Sequence, residues 1–481
     1  MQFPTNKARL ALCALLIASM PMMAGAKVSQ EEADKLGKEL TPLGADPKGN
    51  KDGTITPWYG ADIYSEEQKH YTYEQLEKLR KTDPDRLNIT AAAGANSDAK
   101  VKLDPKVAQP LFTITASNYN EYADKLSEGH KEMFRRYPDY KMIVYPTVRG
   151  HFAPPEINEA VKYNATHAEL DGTDDIVGAR LATPFPIPHN GAEAMWNNRL
   201  KFRGVSAVRR FNNQAIVDAD GSFQISKLIE DVRFEYGNLK DASRENNIIV
   251  YYLQKTLSPA RVAGQITLVH EIFGKGTSGR NAWIYNPGLA RVNRAPEVGF
   301  DNPSLGSDGL QFNDQIDMFN GSLSRYDWKL LGKKEVYIPY NSYKMSDPRF
   351  KYKDIVQKGH INQDLARYEL HRVWVVEANL HPGNSHQFKR RTFYLDEDSW
   401  ALTLVDCYDN RDKLWKLQEG HVINLPFLPG STTVPEVIYD LQSGRYFITA
   451  MTNEDNISNF EITFDREYFL PKNLRNLGER H

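Results

Sequence analysis

The stretch from Tyr368 to Leu417 constrains this chain more than any other. It holds four β-type runs, His371 to Leu380, Phe388 to Leu395, Trp400 to Tyr408 and Leu414 onward. Between them stand His381-Pro382-Gly383-Asn384, Asp396-Glu397-Asp398-Ser399 and Asp409-Asn410-Arg411-Asp412, each a cluster of turn formers. Connections this short admit only antiparallel neighbours, because a parallel crossover needs about a dozen residues or more. The stretch is therefore expected to be an antiparallel meander.

Taking Asp396–Ser399 and Asp409–Asp412 as four-residue hairpin loops fixes an expected register. Leu395 then opposes Trp400, Phe393 opposes Leu402, and Lys389 opposes Asp406. One face collects Phe393, Leu395, Trp400, Leu402, Leu404, Trp415 and Leu417. The other collects Thr392, Tyr394, Thr403, Cys407, Leu414 and Lys416, a thinner and more polar set. So many large apolar residues on one side exceed what a single helix stripe would cover. Trp374, Phe393, Trp400, Leu402, Leu404 and Trp415 are thus the candidate contacts for a hydrophobic cargo. The competing reading is that the N-terminal region packs there and fills the face as ordinary core.

The first 26 residues carry Lys7 and Arg9, an apolar run from Leu10 to Ile17, and Ala24-Gly25-Ala26, the pattern of a cleaved secretory signal. Cleavage after Ala26 would release a periplasmic chain. Only Cys407 would survive it, which rules out an intramolecular disulfide, and its place inside a strand marks it as packed rather than reactive. Lys plus Arg number 60 against 62 Asp plus Glu, so no electrostatic case for a nucleic-acid partner exists.

Along the chain, helices are expected from Ser29 to Leu40, from Thr72, from Ser117 to Tyr137, from Pro155 to Ala165 and from Gly191 to Leu200. From Val205 the pattern turns to strands: Val208 to Val217, Phe223 to Tyr236, Ile248 to Thr256, Val262 to Phe273 and Asn281 to Tyr285. Tyr326 to Pro339, the meander, Tyr446 to Thr452 and Glu461 to Phe464 come after them. Helices first and strands later imply an α+β architecture. The expected organisation is a signal peptide (1–26), an N-terminal arm with short helices (27–110) and one sheet domain (111–481). That sheet should be antiparallel and strongly twisted, with the Ser117–Tyr137 helix on its concave side.

Several constellations fall short of chemistry. Gly274 to Gly279 matches G-x-G-x-x-G, but the residues after it are strand-like, so it is a hairpin loop rather than a nucleotide fingerprint. Asn50 to Ile55 resembles the middle of a calcium loop, yet Lys48 and Tyr59 occupy the positions that need acids, leaving a Gly-turn that pins the arm. His360, His371, His381 and His386 lack any metal-site spacing and are read as solvated or strand-surface residues. Asp396-Glu397-Asp398 is read as a turn cap. No catalytic residue, cofactor or metal site is assigned.

The segments LTPLGADPKGNKDGTI, RVNRAP, YDWKLLGKKEVYIPYN, RYELHRVWVVEA and RTFYLDEDSW resemble an exported proteobacterial family known as domain of unknown function 1329. That family is similar to the periplasmic lipoprotein carriers LolA and LolB. The resemblance implies a curved, unclosed antiparallel sheet, a half barrel, wrapping helices around a hydrophobic cavity. It also implies a partner of the resistance-nodulation-division class of inner-membrane exporters, and with it an outer-membrane protein. The expected function is binding and transfer of a hydrophobic or lipidic molecule. A periplasmic hydrolase and a structural adaptor between envelope proteins are the alternatives: an enzyme would depend on one polar residue, an adaptor would retain no cargo.

Overall fold

The computed structural model describes residues 27–94, 98–241, 247–274, 279–295 and 299–479; the expected signal peptide and the loop 275–278 lie outside them. Its first strands are short: β1 (Phe112–Thr115), β2 (Lys141–Tyr145), β3 (Glu169–Leu170) and β4 (Ile176–Val177). A first meander comes next as β5 (Ala207–Val217), β6 (Phe223–Phe234), β7 (Ile248–Ser258), β8 (Ile266–Ile272), β9 (Arg280–Asn286) and β10 (Arg291–Arg294). The second is β11 (Tyr326–Pro339), β12 (Tyr368–Leu380), β13 (Arg390–Asp396), β14 (Leu402–Tyr408), β15 (Leu414–Leu425), β16 (Gly430–Asp440) and β17 (Tyr446–Met451).

The meanders share one 15-stranded sheet because β17, the last strand of the second, pairs with β5, the first of the first. β10 forms one end, while at the other β12 carries both β11 and the short β2–β1 pair, so the sheet is unclosed. Pairing is antiparallel throughout except where β2 runs parallel to Tyr368 and Glu369 of β12. The architecture is the expected α+β one, an open sheet with helices on both faces.

Several details differ from expectation. The loop joining β13 and β14 is Glu397–Trp400, closed by Asp396 and Ala401, and Leu395 therefore opposes Leu402. A bulge at Thr403 then brings Leu404 opposite Tyr394, and a second bulge at Trp415 brings Leu417 opposite Asp406. Since side chains alternate with period two, each extra residue reverses the faces beyond it. Leu404 and Leu417 consequently leave the Phe393 side, Cys407 joins it, and Thr392 rather than Lys389 opposes Asp406.

The helix expected from Ser117 divides into a 3-10 turn, Tyr119–Lys125, and an α-helix, Glu128–Arg136, because Ser127 caps anew by accepting from the His130 amide. Asp406 accepts from the Glu128 and Gly129 amides at 3.0 and 2.9 Å, which anchors that helix end to β14. This helix shares its core with Ala215, Val217, Val437 and Ile448, the face opposite the cavity described below. The helix from Ser29 stops at Ala33, and Glu461–Phe464 forms no strand.

The Phe393 side is covered by the helix Gly191–Leu200 and by the segment 299–325 that links the sheet's two ends. All ten residues of that helix are buried, as expected of a helix without an amphipathic stripe. Asn190 caps it, and Gly191 permits its close approach to β11, where a Cβ would come within 2.9 Å of the Trp328 backbone.

Candidate functional site: a chamber on the inner face of the sheet

Alternate residues of the first meander point to one side and line a common space. They are Val208, Arg210, Asn212 and Gln214 on β5, Glu230, Val232 and Phe234 on β6, Val250, Tyr252 and Gln254 on β7, and Thr267, Val269 and Glu271 on β8. Arg280 on β9, Thr449 on β17 and Ser431, Thr433 and Glu436 on β16 complete a wall of seven consecutive strands. Only a concave sheet can direct so many strands at a single space. The end of the Gly191–Leu200 helix and residues 304–320 of the crossing segment form the opposite wall. The enclosed volume is about 220 Å³, far above the ~10–15 Å³ that one buried water occupies.

The lining is amphipathic. Val208, Val232, Phe234, Ile249, Val250, Val269, Phe202 and Ile316 supply apolar surface. Interleaved with them are Arg199, Lys201, Arg203, Arg210 and Arg280 against Glu230, Glu271, Asp317 and Glu436. Hairpin pairing accounts for one ion pair directly: Arg210 faces Glu230 across β5 and β6, with Nε 2.6 Å from Oε2. Arg280 reaches Glu271 at 2.7 Å across β8 and β9, and Arg203 meets Asp317. Lys201 donates to the backbone and side-chain oxygens of Asn198 at 3.1 and 2.9 Å.

Burial sets the electrostatics. It pulls the Lys201 ammonium down to about 7, with Arg203 beside it adding to the effect. It pushes the Glu436 carboxyl up to about 7, reinforced by the nearby Asp317 charge. Burial opposes Asp317 as well, but Arg203, Lys201 and Arg210 outweigh it and hold that carboxyl low.

The six residues picked out as cargo contacts lie elsewhere. Phe393, Trp400 and Leu402 are fully enclosed among Trp196, Met195 and Phe319, and Leu404 sits on the other face with Tyr340 and Val422. Trp374 stacks on Trp400 with centroids 6.0 Å apart, and Trp415 packs on Phe388 and Phe312. None of the six lines the chamber, to which their loop contributes Ala401. The apolar density that singled them out is the density of a packed core, whereas the chamber wall mixes charge with aliphatic residues.

Two polar clusters correct the reading of the histidines and the acidic turn. His371, His360 and His386 are buried, and only His381 is substantially exposed. Arg149, itself 1% exposed, binds Asp398 at 2.9 and 2.7 Å and Glu397 at 3.1 Å and donates to the Asp46 and Thr56 carbonyls at 2.7 and 3.3 Å, so the acidic turn holds that early stretch to the sheet through it. His371, Asp396 and Asp398 are close enough to hold a cation between them. They are already balanced: burial alone would lower the imidazole, but hydrogen bonds to Asp396 and Glu369 outweigh it and raise it to about 9. A cation bound there would have to displace that proton.

The fold is an open sheet with a chamber on its inner face. The chain belongs to the family described as Protein of unknown function (DUF1329), which it matches over residues 113–475. It is 42% identical to the Uncharacterized protein PA3922 of Pseudomonas aeruginosa, covering 99% of this chain and 100% of that one. Among solved structures it is similar to a DUF1329 family protein from Desulfovibrio piger, at 16% identity and TM-score 0.39, over 56% of this chain and 92% of that one. It is also similar to a putative outer membrane lipoprotein-sorting protein domain from Vibrio parahaemolyticus, at 15% identity and TM-score 0.42, over 59% and 98% of the two chains.

Proposed function

We propose that this protein is a periplasmic carrier that takes a hydrophobic or lipidic molecule into the chamber and passes it on. The observation that carries this reading is the chamber itself, a space of about 220 Å³ between sheet and crossing segment, walled by aliphatic and aromatic side chains at hydrogen-bonding reach of charged ones. Each methylene moved from water into such a space stabilises the complex by about 0.8 kcal/mol, so a chain of modest length is held without any covalent chemistry. Residues 304–320 cover the chamber from one link between the sheet's ends, which suits a cargo that must enter and leave. The signal-like N-terminus supports export, and an inner-membrane exporter of the resistance-nodulation-division class is the proposed source of the cargo.

Mass spectrometry of organic extracts from the purified mature protein tests the reading. A stoichiometric lipid or hydrophobic metabolite is expected, and it should disappear when Val232→Arg and Val269→Arg charge the apolar wall. A clean extract, together with no uptake of any hydrophobic probe, would remove the carrier reading.

A further inference from the structure

Four of the five chamber cations have a carboxylate within 4 Å: Arg210 with Glu230, Arg280 with Glu271, and Arg203 and Lys201 with Asp317. The fifth, Arg199, has neither an ion-pair nor a hydrogen-bond partner among the described residues. Its guanidinium lies over the Trp196 ring at 4.8 Å, and the residue is 8% exposed while lining the chamber. Arginine stays charged at any pH a cell offers; the Glu271 and Asp174 carboxylates act on this one only from beyond ion-pair distance, so its hydrogen-bond donors are unmatched and the position suits a further anion.

The balance of the lining points the same way. Glu436 has no cation within 4 Å among the described residues and accepts only from the Met318 amide and Thr433 hydroxyl, at 3.2 and 3.0 Å. Burial favours its neutral form. Among the described residues of the lining, five cations face four carboxylates, and Arg199 lies at the end of the chamber where Arg280 packs over Phe300.

We infer that the cargo is an anionic amphiphile, whose carboxylate or phosphate head is received by Arg199 while its apolar chain lies along Val208, Val232, Phe234, Val250 and Val269. This rests on the carrier reading and narrows it from hydrophobic molecules at large to those with one negatively charged end. A planar guanidinium can donate two parallel hydrogen bonds to either head group. The stack on Trp196 fixes the plane in which it does so.

The test is displacement of the neutral probe N-phenyl-1-naphthylamine from the mature protein by dodecanoate, dodecyl phosphate and dodecanol. The two anions should displace it at concentrations at least ~10-fold below dodecanol, since hydrogen bonds to a charged group are worth that much or more. The more potent anion identifies the head group. Arg199→Met should bring the anions to the level of dodecanol, and Arg199→Lys should restore part of the preference.

Equal displacement by all three compounds overturns the inference and leaves the carrier reading standing, as does an undiminished preference in Arg199→Met. Displacement by acetate or inorganic phosphate alone overturns it too, because the site would then serve a free anion. Should Arg199→Met fail to fold, the comparison of acids with alcohol on the unmodified protein decides. No displacement by any of the three overturns both readings.

Discussion

Arg391 lies 2.8 Å from Asp314 in the middle of the core, with the two side chains 1% and 2% exposed. His386 approaches the same carboxylate oxygen at 3.1 Å, and the rings of Phe319, Tyr326, Phe388 and Phe393 surround the guanidinium at 4.8–5.5 Å. Burial works against the Asp314 charge, but Arg391 and His386 outweigh it and hold that carboxyl well below the usual range. The pair ties the crossing segment to β13, beside the stretch that covers the chamber.

Breaking this pair should be expensive. Asp314→Asn or Arg391→Met leaves one buried charge unmatched and should lower stability by about 3–5 kcal/mol, whereas Arg391→Met combined with Asp314→Leu should recover a large part of it. Urea denaturation midpoints of the three variants check the order. A double variant as unstable as the worse single one would contradict it.

The chamber should give stability a minimum near neutral pH. Glu436 keeps its proton up to about 7 in the folded chain but loses it near 4.5 when unfolded, so its contribution is full below 4.5 and is lost as pH rises through 7. Lys201 sheds its proton near 7 when folded and near 10.5 when unfolded, so its contribution is full above 10.5 and is lost as pH falls through 7. Glu436→Gln should abolish the decline between pH 4.5 and 7 while leaving the alkaline arm. Denaturation midpoints measured across that interval decide, and an unchanged decline would exclude Glu436 as its source.

Leu404 offers a direct comparison between core and chamber. It is enclosed by Tyr340, Val373, Val375, Tyr394 and Val422, so Leu404→Trp overpacks a closed space and should cost roughly 1–3 kcal/mol. Probe uptake by the folded fraction should be unchanged. Loss of uptake without loss of stability would mean that this face opens to cargo.

Cys407 should behave as a structural thiol. It is fully buried, and burial pushes it up to about 12 even though Arg391 and Lys416 lie nearby. Thiol-reagent labelling of the native chain should be slower than that of the urea-unfolded chain by orders of magnitude. Comparable rates would show that β14 opens readily.

Much of the sheet was legible because long strands declare themselves by composition and bounding turns. β11 and the Gly191–Leu200 helix have the bounds expected of them, and the β5–β6 hairpin differs by a residue or two. β16 was hidden because Pro435 sits in its middle, where a proline argues against an inner strand. The structure accommodates it at an irregularity between Gly420 and Val422 of β15, just beyond the last residue paired with β17. The faces of the meander were misjudged for a related reason, since neither the bulge at Thr403 nor that at Trp415 leaves a mark in composition.

The site was the least legible part. Counting back from a four-residue turn at Asp218-Ala219-Asp220-Gly221 puts Arg210 opposite Ile229; only with Ser222 also in the loop, as observed, does it face Glu230. Nothing local announces Arg199. Its isolation depends on which carboxylates the crossing segment and β8–β9 bring near, and those residues are far from it in sequence.

The junction of β17 with β5 also governs how the chain is made. On the edge away from β6, Val217 and Ile216 pair with Tyr446 and Phe447, more than two hundred positions later. Until then β5 presents an open row of amides and carbonyls beside a nearly complete hairpin stack, the kind of edge on which other chains condense. Assembly must therefore wait for almost the whole polypeptide, which favours slow maturation and a need for escort during secretion. Truncation before Tyr446 should yield insoluble material rather than a smaller folded half, as sedimentation of a chain ending at residue 440 would reveal.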